Sequence, residues 1–301
     1  MNKQAVFIII IISVFVLKFI FNLCLYYEPF DNNYFTRVNK NFLSKDFKKL
    51  PYKVLFVGVC RDVDTYINDI LKNIDVLRSM FVKTEVIFFE NDSKDKTLDI
   101  IKNYDCVVLS EKNIKIGKRS QRIEYCRNKI LEYINNYNLI DEYDYMVVLD
   151  LDDTNQQIDY KGFYDSFNLS EKWDMLGANS YRYYDTWALR TENLNFNKET
   201  NTIKHLWNSI KGPINTHYFD NIKTTKDFEN KIHPVLSCFN GLGIYNIKKI
   251  KGCYYDSYKG EDCEHIGFHK CMREKHNAKI FINPKLKVKG GLYLLYFLKI
   301  T

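Results

Sequence analysis

The chain has 301 residues, 46% of them hydrophobic and 16% aromatic, which suffices for one large buried core or two small ones. Its 27% charged content is ordinary for a globular domain. The net charge of +7 comes with no long basic block and no nucleic-acid-binding motif, so nucleic acid is excluded as the expected partner.

Residues 1–4 are a short tail. Ala5 to Phe21 is apolar except for Ser13 and Lys18, and Leu23 to Tyr27 extends the run. Residues 5–27 therefore predict a single transmembrane anchor, with Lys18 near one end where its ammonium reaches the interface. No small-residue cleavage site follows, which argues against a signal peptide. Lys3 lies before the span and Arg37 and Lys40 after it, so charge does not fix the orientation. Residues 28–50 are polar and aromatic without clear period and read as a stem.

A domain over residues 51–301 opens at Pro51. Val54 to Val59 is a continuous apolar run, hence a buried strand. Ile67, Ile70, Leu71, Ile74, Leu77 and Phe81 follow at helical spacing. Val86 to Phe89 predicts a second strand, running into Glu90-Asn91-Asp92-Ser93, with Ser93 placed to cap a helix carrying Leu98 and Ile101. Cys106 to Leu109 predicts a third strand. Ile123, Ile130, Leu131, Ile134 and Tyr137 mark an amphipathic helix, and a fourth strand ends at Asp150. Strands alternating with helices predict an α/β fold with a mostly parallel, Rossmann-like sheet.

The second half is less regular. Met175 to Ala178 reads as a strand and residues 190–232 as a long loop or insertion. Val235 to Ile247 is apolar around Gly241 and Gly243. Cys263 to Lys275 reads as a helix, and Ile280 to Ile282 and Leu286 to Val288 as two short strands. Leu292 to Ile300 is apolar, too short to cross a bilayer, and expected on the core. The eight cysteines show no disulfide spacing. Cys253, Cys263, His265, His269 and Cys271 cluster in the sequence, so a structural zinc is conceivable, although the spacing fits no zinc-finger pattern.

The chemistry concentrates in Asp144-Tyr145-Met146-Val147-Val148-Leu149-Asp150-Leu151-Asp152-Asp153. A buried-strand pattern ends in three carboxylates within four positions. Like charges this close repel unless something positive sits between them. Carboxylate oxygens suit hard ions such as magnesium and manganese. Open α/β sheets bind ligands at the carboxyl ends of their strands, where these residues fall. The plain alternative is a solvated acidic turn.

Three features line up in order: a strand ending in Glu90-Asn91-Asp92-Ser93-Lys94-Asp95-Lys96-Thr97, a helix carrying Arg127-Asn128, and a strand ending in Asp150-Leu151-Asp152. In this order they resemble a nucleotide-sugar glycosyltransferase of the GT-A fold, over roughly residues 52–290. Tyr184-Asp185-Thr186-Trp187-Ala188-Leu189-Arg190, Phe239-Asn240-Gly241-Leu242-Gly243 and Gly260-Glu261-Asp262-Cys263-Glu264-His265 sharpen it. Together they look similar to the fungal capsule-associated mannosyltransferases and to related viral and bacterial glycosyltransferases.

The resemblance implies transfer of a hexose, with mannose one candidate, from a nucleotide-diphosphate sugar to a glycan, glycoprotein or glycolipid hydroxyl, assisted by Mn2+ or Mg2+. Asp152 would ligate the metal, Asp150 the metal or the ribose, and Asp153 would stand in reserve. His265 would complete the metal site. Glu90 and Asp92 would accept from base or ribose, and Arg127 would reach the phosphates or the sugar. Asp262 and Glu261 would face the acceptor. Each has a plainer reading. Glu90 and Asp92 suit turn chemistry. Arg127 suits an exposed helix charge. Glu261 and Asp262 suit the amino end of a helix. His265 and His269, one turn apart, suit simple packing.

Two readings belong to other classes. Asp150-Leu151-Asp152-Asp153-Thr154 spells the motif of haloacid-dehalogenase phosphatases, whose first Asp is a nucleophile. At least three strands precede it here, whereas that motif ends a first strand. A membrane-tethered protein that binds sugar without turnover is the other. An anchored transferase of this layout is expected to face the Golgi or ER lumen. Against that stands an N-glycosylation acceptor, Asn91-Asp92-Ser93, inside the expected nucleotide loop. A second acceptor, Asn168-Leu169-Ser170, lies elsewhere.

Overall fold

A computed structural model of the chain describes residues 33–180, 183, 185, 187–192 and 231–290. The expected anchor at 5–27, the first part of the stem, Tyr184, Thr186, most of the expected loop and the apolar tail lie outside the described residues. Among the described residues no helix is long and apolar enough to cross a membrane.

The first half alternates as its pattern predicts. Strand β1 (Leu50–Cys60) leads to helix α2 (Asp64–Ser79), β2 (Phe81–Asn91), α3 (Thr97–Lys102), β3 (Val107–Glu111), α4 (Arg119–Asn136), the short α5 (Leu139–Glu142) and β4 (Tyr145–Asp150). β3, β2, β1 and β4 lie side by side and parallel. Successive side chains of a strand point to opposite faces. Leu55 and Val57 of β1 thus pack with Ile130, Leu131 and Ile134 of α4, while Val54 and Phe56 pack with Ile67, Ile70 and Ile74 of α2. With both faces covered, the strand interior is apolar without alternation.

The second half departs from the expected parallel sheet. After β4 come α6 (Tyr160–Asp165), β5 (Met175–Ser180), β6 (His233–Pro234), β7 (Leu242–Asn246), α7 (Glu264–His276) and β8 (Ile280–Val288). The eight strands order as β3-β2-β1-β4-β7-β5-β8-β6. β7 runs antiparallel to both β4 and β5, β8 is parallel to β5, and β6 is antiparallel to β8, so the sheet is mixed. β7 begins where β4 ends: Asn240 and Gly241, both at positive φ, turn the chain so that Leu242 pairs with Leu149.

Three local expectations change. The two short strands over 280–288 are one, and its pairing with β5 shifts register where Asn283-Pro284 interrupts the apolar pattern. Ser93 does not cap the next helix; its hydroxyl accepts from the Asp62 N–H, and Asp95 takes the Thr97 N–H instead. The stem segment contains helix α1 (Tyr34–Leu43), which is docked on the domain. Phe35 is buried there. The Asn39 side chain donates to the Ile158 carbonyl and accepts from the Tyr160 N–H, and Tyr34 donates to Asp159.

Gly58 on β1 faces the acidic end of β4 at close range. A Cβ there would lie 2.8 Å from Leu151 Cγ and 2.9 Å from the Leu149 carbonyl oxygen. Gly58→Ala is therefore expected to cost about 1–3 kcal/mol through overpacking, read as a lower denaturant midpoint. An unchanged midpoint would show that Leu151 yields freely.

Candidate active site

The acidic run of β4 ends beside the ends of β1 and β2: Val59 pairs with Asp150, and Cys60 with Glu90. The Asp150 backbone is fixed on both sides. Its N–H donates to the Gly241 carbonyl at 2.8 Å. Its carbonyl accepts from the Asn155 side-chain amide at 2.8 Å, and that amide also donates to the Gly241 carbonyl. Asn155 is held in turn: Asn73 donates to its carbonyl, and the Tyr160 hydroxyl donates to Asn73. All three side chains are buried. Asp152 caps a short 3-10 helix (Asp153–Asn155), accepting from the Thr154 N–H, and is half-buried, as is Asp153.

Arg127 is no exposed helix charge. Only 4% of it is accessible. Its Nη2 lies 2.8 Å from Asp150 Oδ1, and its Nε lies 3.2 Å from Glu264 Oε1, at ion-pair distance. The guanidinium sits between the rings of Phe239 and Tyr255, 5.0 and 5.5 Å from their centroids. Its buried Nη1 has no hydrogen-bond partner among the described residues. Burial works against the charge, but Asp150 and Glu264 outweigh it and hold the guanidinium more basic than usual. The carboxylates around it outnumber it. Burial pushes Asp150 up to about 7, against the pull of Arg127, and Asp152, Asp185 and Glu264 push the same way as burial. Burial likewise raises Asp185 to about 6, opposed by the N–H of Asn240.

A second ion pair stands at the start of α7. Nη2 of the buried Arg190 meets both oxygens of Asp262, at 2.8 and 2.9 Å. The Asp262 carboxylate also accepts from the Cys263 N–H. Glu261 is exposed and paired with Lys118 from the segment leading into α4. Across the two clusters, five carboxylates (Asp150, Asp152, Asp185, Asp262 and Glu264) face two guanidiniums (Arg127 and Arg190), a difference of three charges when all are ionised.

The structure places the remaining expected residues differently. Glu90 is buried, accepting from the Ser93 N–H and the Ser110 hydroxyl. Asp92, in a left-handed conformation, accepts from the N–H groups of Asn113 and Ile114. Both carboxylates thus tie loops together, which is their plainer reading. His265 belongs to the core. Its ring stacks on Phe239 at 4.0 Å, and its Nε2 is 3.8 Å from Glu264. His269 lies behind it, between the hydroxyls of Ser237 and Tyr245. The conceivable zinc cluster is replaced by a disulfide, Cys253–Cys271, with Cys263 a free, buried thiol. Among the described residues no three His, Cys, Asp or Glu side chains form a group that could hold a metal ion by themselves.

Asp185, Arg190, Asn155 and Glu264 had no role assigned from the sequence. Asp185, Arg190 and Glu264 fall inside the quoted motif strings, and their neighbours took the attention. Asn155 carried no signal beyond a polar turn residue after the acidic run.

Two outcomes follow from the buried charges. Arg127→Met leaves Asp150 and Glu264 without their cation and is expected to cost about 3–5 kcal/mol in urea unfolding. Adding Asp150→Asn should restore part of that loss, whereas strictly additive effects would show that the two side chains are not coupled. His269 is held neutral, pushed down to about 3 by burial and then by Arg273 and Arg127. Its folded value lies below its unfolded value, so the stability it contributes is present above pH 6.5 and is lost as pH falls towards 3. His269→Gln should remove about 1.4 kcal/mol per pH unit from the slope of stability between pH 6 and 4. A variant with the parental slope would place the titration elsewhere.

No protein-family model and no curated protein sequence matches the chain. Among solved structures it is similar to S. aureus TarS, at 14% identity over 78% of this chain and 59% of that one, with a TM-score of 0.44. This chain thus spans well under two thirds of that structure's length. It is also similar to a mannosyltransferase from Pyrobaculum calidifontis in complex with GDP-Man and Mn2+, at 12% identity over 92% of this chain and 66% of that one, TM-score 0.45. A third is glucosyl-3-phosphoglycerate synthase from Mycobacterium tuberculosis in complex with Mn2+, UDP and phosphoglyceric acid, at 11% identity over 82% and 74%, TM-score 0.45. Superpositions this loose do not assign a fold family.

Proposed function

We propose that the chain is a metal-dependent GT-A glycosyltransferase that moves a hexose from a nucleotide-diphosphate sugar to a hydroxyl of a glycan or glycoconjugate. The observation that carries this reading is the excess of carboxylates over arginines at the carboxyl ends of the parallel strands β1, β2 and β4. Such an excess suits a divalent cation, and the order of motifs along the chain agrees with it. The donor set fits: Asp152 and Asp150 would hold the ion. No complete protein cage is present among the described residues. That is the expectation for magnesium or manganese, which bind through one or two carboxylates and complete their shell with substrate phosphates and water. When bound, the ion stabilises negative charge developing on the diphosphate leaving group.

The chain's own residues divide the remaining work. Arg127 brings a positive charge and a buried, unpartnered Nη1 next to Asp150, suited to a phosphate or sugar oxygen. Glu90 and Asp92 shape the turns at the end of β2 for the base and ribose, rather than offering carboxylates without other partners. Asp262, fixed by Arg190 at the start of α7, and the exposed Glu261 take the acceptor side, where a carboxylate can accept the hydroxyl proton. His265 acts by packing against Phe239, which in turn faces Arg127. The phosphatase alternative is disfavoured, because β1, β2 and β3 precede the strand that ends at Asp150, whereas that motif ends a first strand. Residues 5–27 would anchor the domain to a membrane.

The test is a panel of sugar nucleotides offered to the protein with manganese, magnesium or chelator. Asp152→Asn should lower metal-dependent donor turnover on the order of 100-fold, with thermal stability little changed. Parental turnover in that variant, or in excess chelator, would sink the metal-site reading. Saturable donor binding without any turnover would favour the non-catalytic sugar binder.

A further inference from the structure

We propose that the folded domain stands in an oxidising, glycosylating lumen and carries one N-linked oligosaccharide, on Asn168. The whole chain contains two acceptor sequences, Asn91-Asp92-Ser93 and Asn168-Leu169-Ser170. The structure separates them sharply. Asn91 is the last residue of β2, 8% exposed, and its side-chain oxygen accepts from the Cys126 thiol. Its amide nitrogen is wholly buried. A sugar on that nitrogen would have to sit inside the sheet–helix interface, so the native fold excludes it. The folded chain therefore carries no sugar on Asn91, and the lumenal reading requires that this strand close before the transferring enzyme reaches it.

Asn168 is exposed, and so is Ser170. Asn168 closes a short 3-10 helix (Ser166–Asn168), and Leu169 leaves it with extended backbone. The neighbouring Phe167 is buried against the rings of Tyr52, near the start of β1, and Tyr145, the first residue of β4. Asp150 is the last residue of β4. Asn168 thus lies at the amino end of the strands, opposite the candidate active site, and a glycan there leaves that site open.

The cysteines give an independent mark. Cys253 and Cys271 are joined, and structural disulfides form and persist in oxidising compartments. Among the described residues the five free cysteines are shielded. Cys60, Cys126, Cys238 and Cys263 are buried, and Cys106, half-buried, donates its thiol to the Ile101 carbonyl. Burial pushes all five thiols up, Cys106 to about 11, and so suppresses the thiolate that oxidants attack. This distribution suits a lumen: among the described cysteines, the two that face each other are paired and the other five are shielded.

Both modifications balance. The Asn168 amide nitrogen bonds to the anomeric carbon of a lipid-diphosphate oligosaccharide. The carbon–oxygen bond to the diphosphate breaks, the lipid diphosphate leaves, and the amide proton passes to a base of the oligosaccharide-transferring enzyme. Cys253 and Cys271 give two electrons and two protons to the disulfide of a lumenal thiol oxidant, which becomes a dithiol.

The experiment expresses the full chain in cultured eukaryotic cells and reads mass, not activity, so it stands apart from the glycosyltransferase reading. Peptide N-glycosidase should remove a single glycan, and digestion in heavy-oxygen water should convert Asn168 alone to labelled Asp. Asn168→Gln and Ser170→Ala, which remove the acceptor in different ways, should each abolish the shift. Cys253 and Cys271 should be alkylated only after reduction. A chain without glycan, a glycan on Asn91, a shift surviving Asn168→Gln, or alkylation of Cys253 and Cys271 without reduction would each overturn the proposal.

Discussion

The candidate site depends on one buried guanidinium. Arg127 leaves water almost completely, and a charge does so only with partners in place. Its partners come from far apart in the chain: Asp150 from the end of β4 and Glu264 from the first turn of α7. The ion cluster therefore forms only when α4, the sheet and α7 are all assembled. Well-packed apolar residues would often stabilise such a position as well or better. Stability alone thus does not account for an arginine here, and the further carboxylates of Asp152 and Asp185 make the environment less favourable without a cation.

The backbone beneath the cluster is fixed as firmly as the charges above it. Asn155 joins the Asp150 and Gly241 carbonyls, the ends of two antiparallel neighbours, and so closes the edge between β4 and β7. Behind it Asn73 and Tyr160 tie the same loop to α2 and α6. α1 reaches α6 through Asn39 and Tyr34, so the helix read as stem supports the floor of the site. Buried amides and hydroxyls of this kind are favourable only when their partners are present, which makes the arrangement specific.

The parallel half of the sheet was legible because its strands are buried on both faces and read as unbroken apolar runs. Strand direction in the second half was not, since periodicity reports which face is buried and not which way a neighbour runs. Asn283-Pro284 hid the continuity of β8 for the same reason: a break in apolar pattern is also what a loop looks like. α1 buries Phe35 and packs Phe42 on Tyr164, so Phe35, Val38 and Phe42 form a short stripe at helical spacing that the reading of the stem passed over. In the site, Asp150 stood out as a charge ending an apolar strand, whereas Arg127, beside Asn128 and Lys129, was marked only by the resemblance. Glu264 did not, because a carboxylate at the start of a helix is ordinary whether or not it reaches a buried arginine. His265 and His269 share a helix face under either reading, ligand or core, and only the packing against Phe239 and Tyr245 separates the two. The pairing of Cys253 with Cys271 links a loop to a helix, which spacing alone does not reveal.

α4 makes the two sides of the site into one unit. Its Arg127 faces the β4 carboxylates, while its neighbours Glu124 and Asn128 grip the loop before α7. Asn128 donates to the Tyr255 carbonyl and accepts from the Tyr255 N–H, and Glu124 accepts from the Ser257 N–H. Lys118, just ahead of the helix, pairs with Glu261. The disulfide closes that loop onto α7 from the other end. Residues three and four apart on a helix project together, so one rigid element positions both the cation beside Asp150 and the loop carrying Glu261 and Asp262. A displacement of α4 would therefore shift the strand-end charges and the loop carrying Glu261 and Asp262 together, which ties the spacing between them to the packing of α4 on the sheet and not to loop conformation.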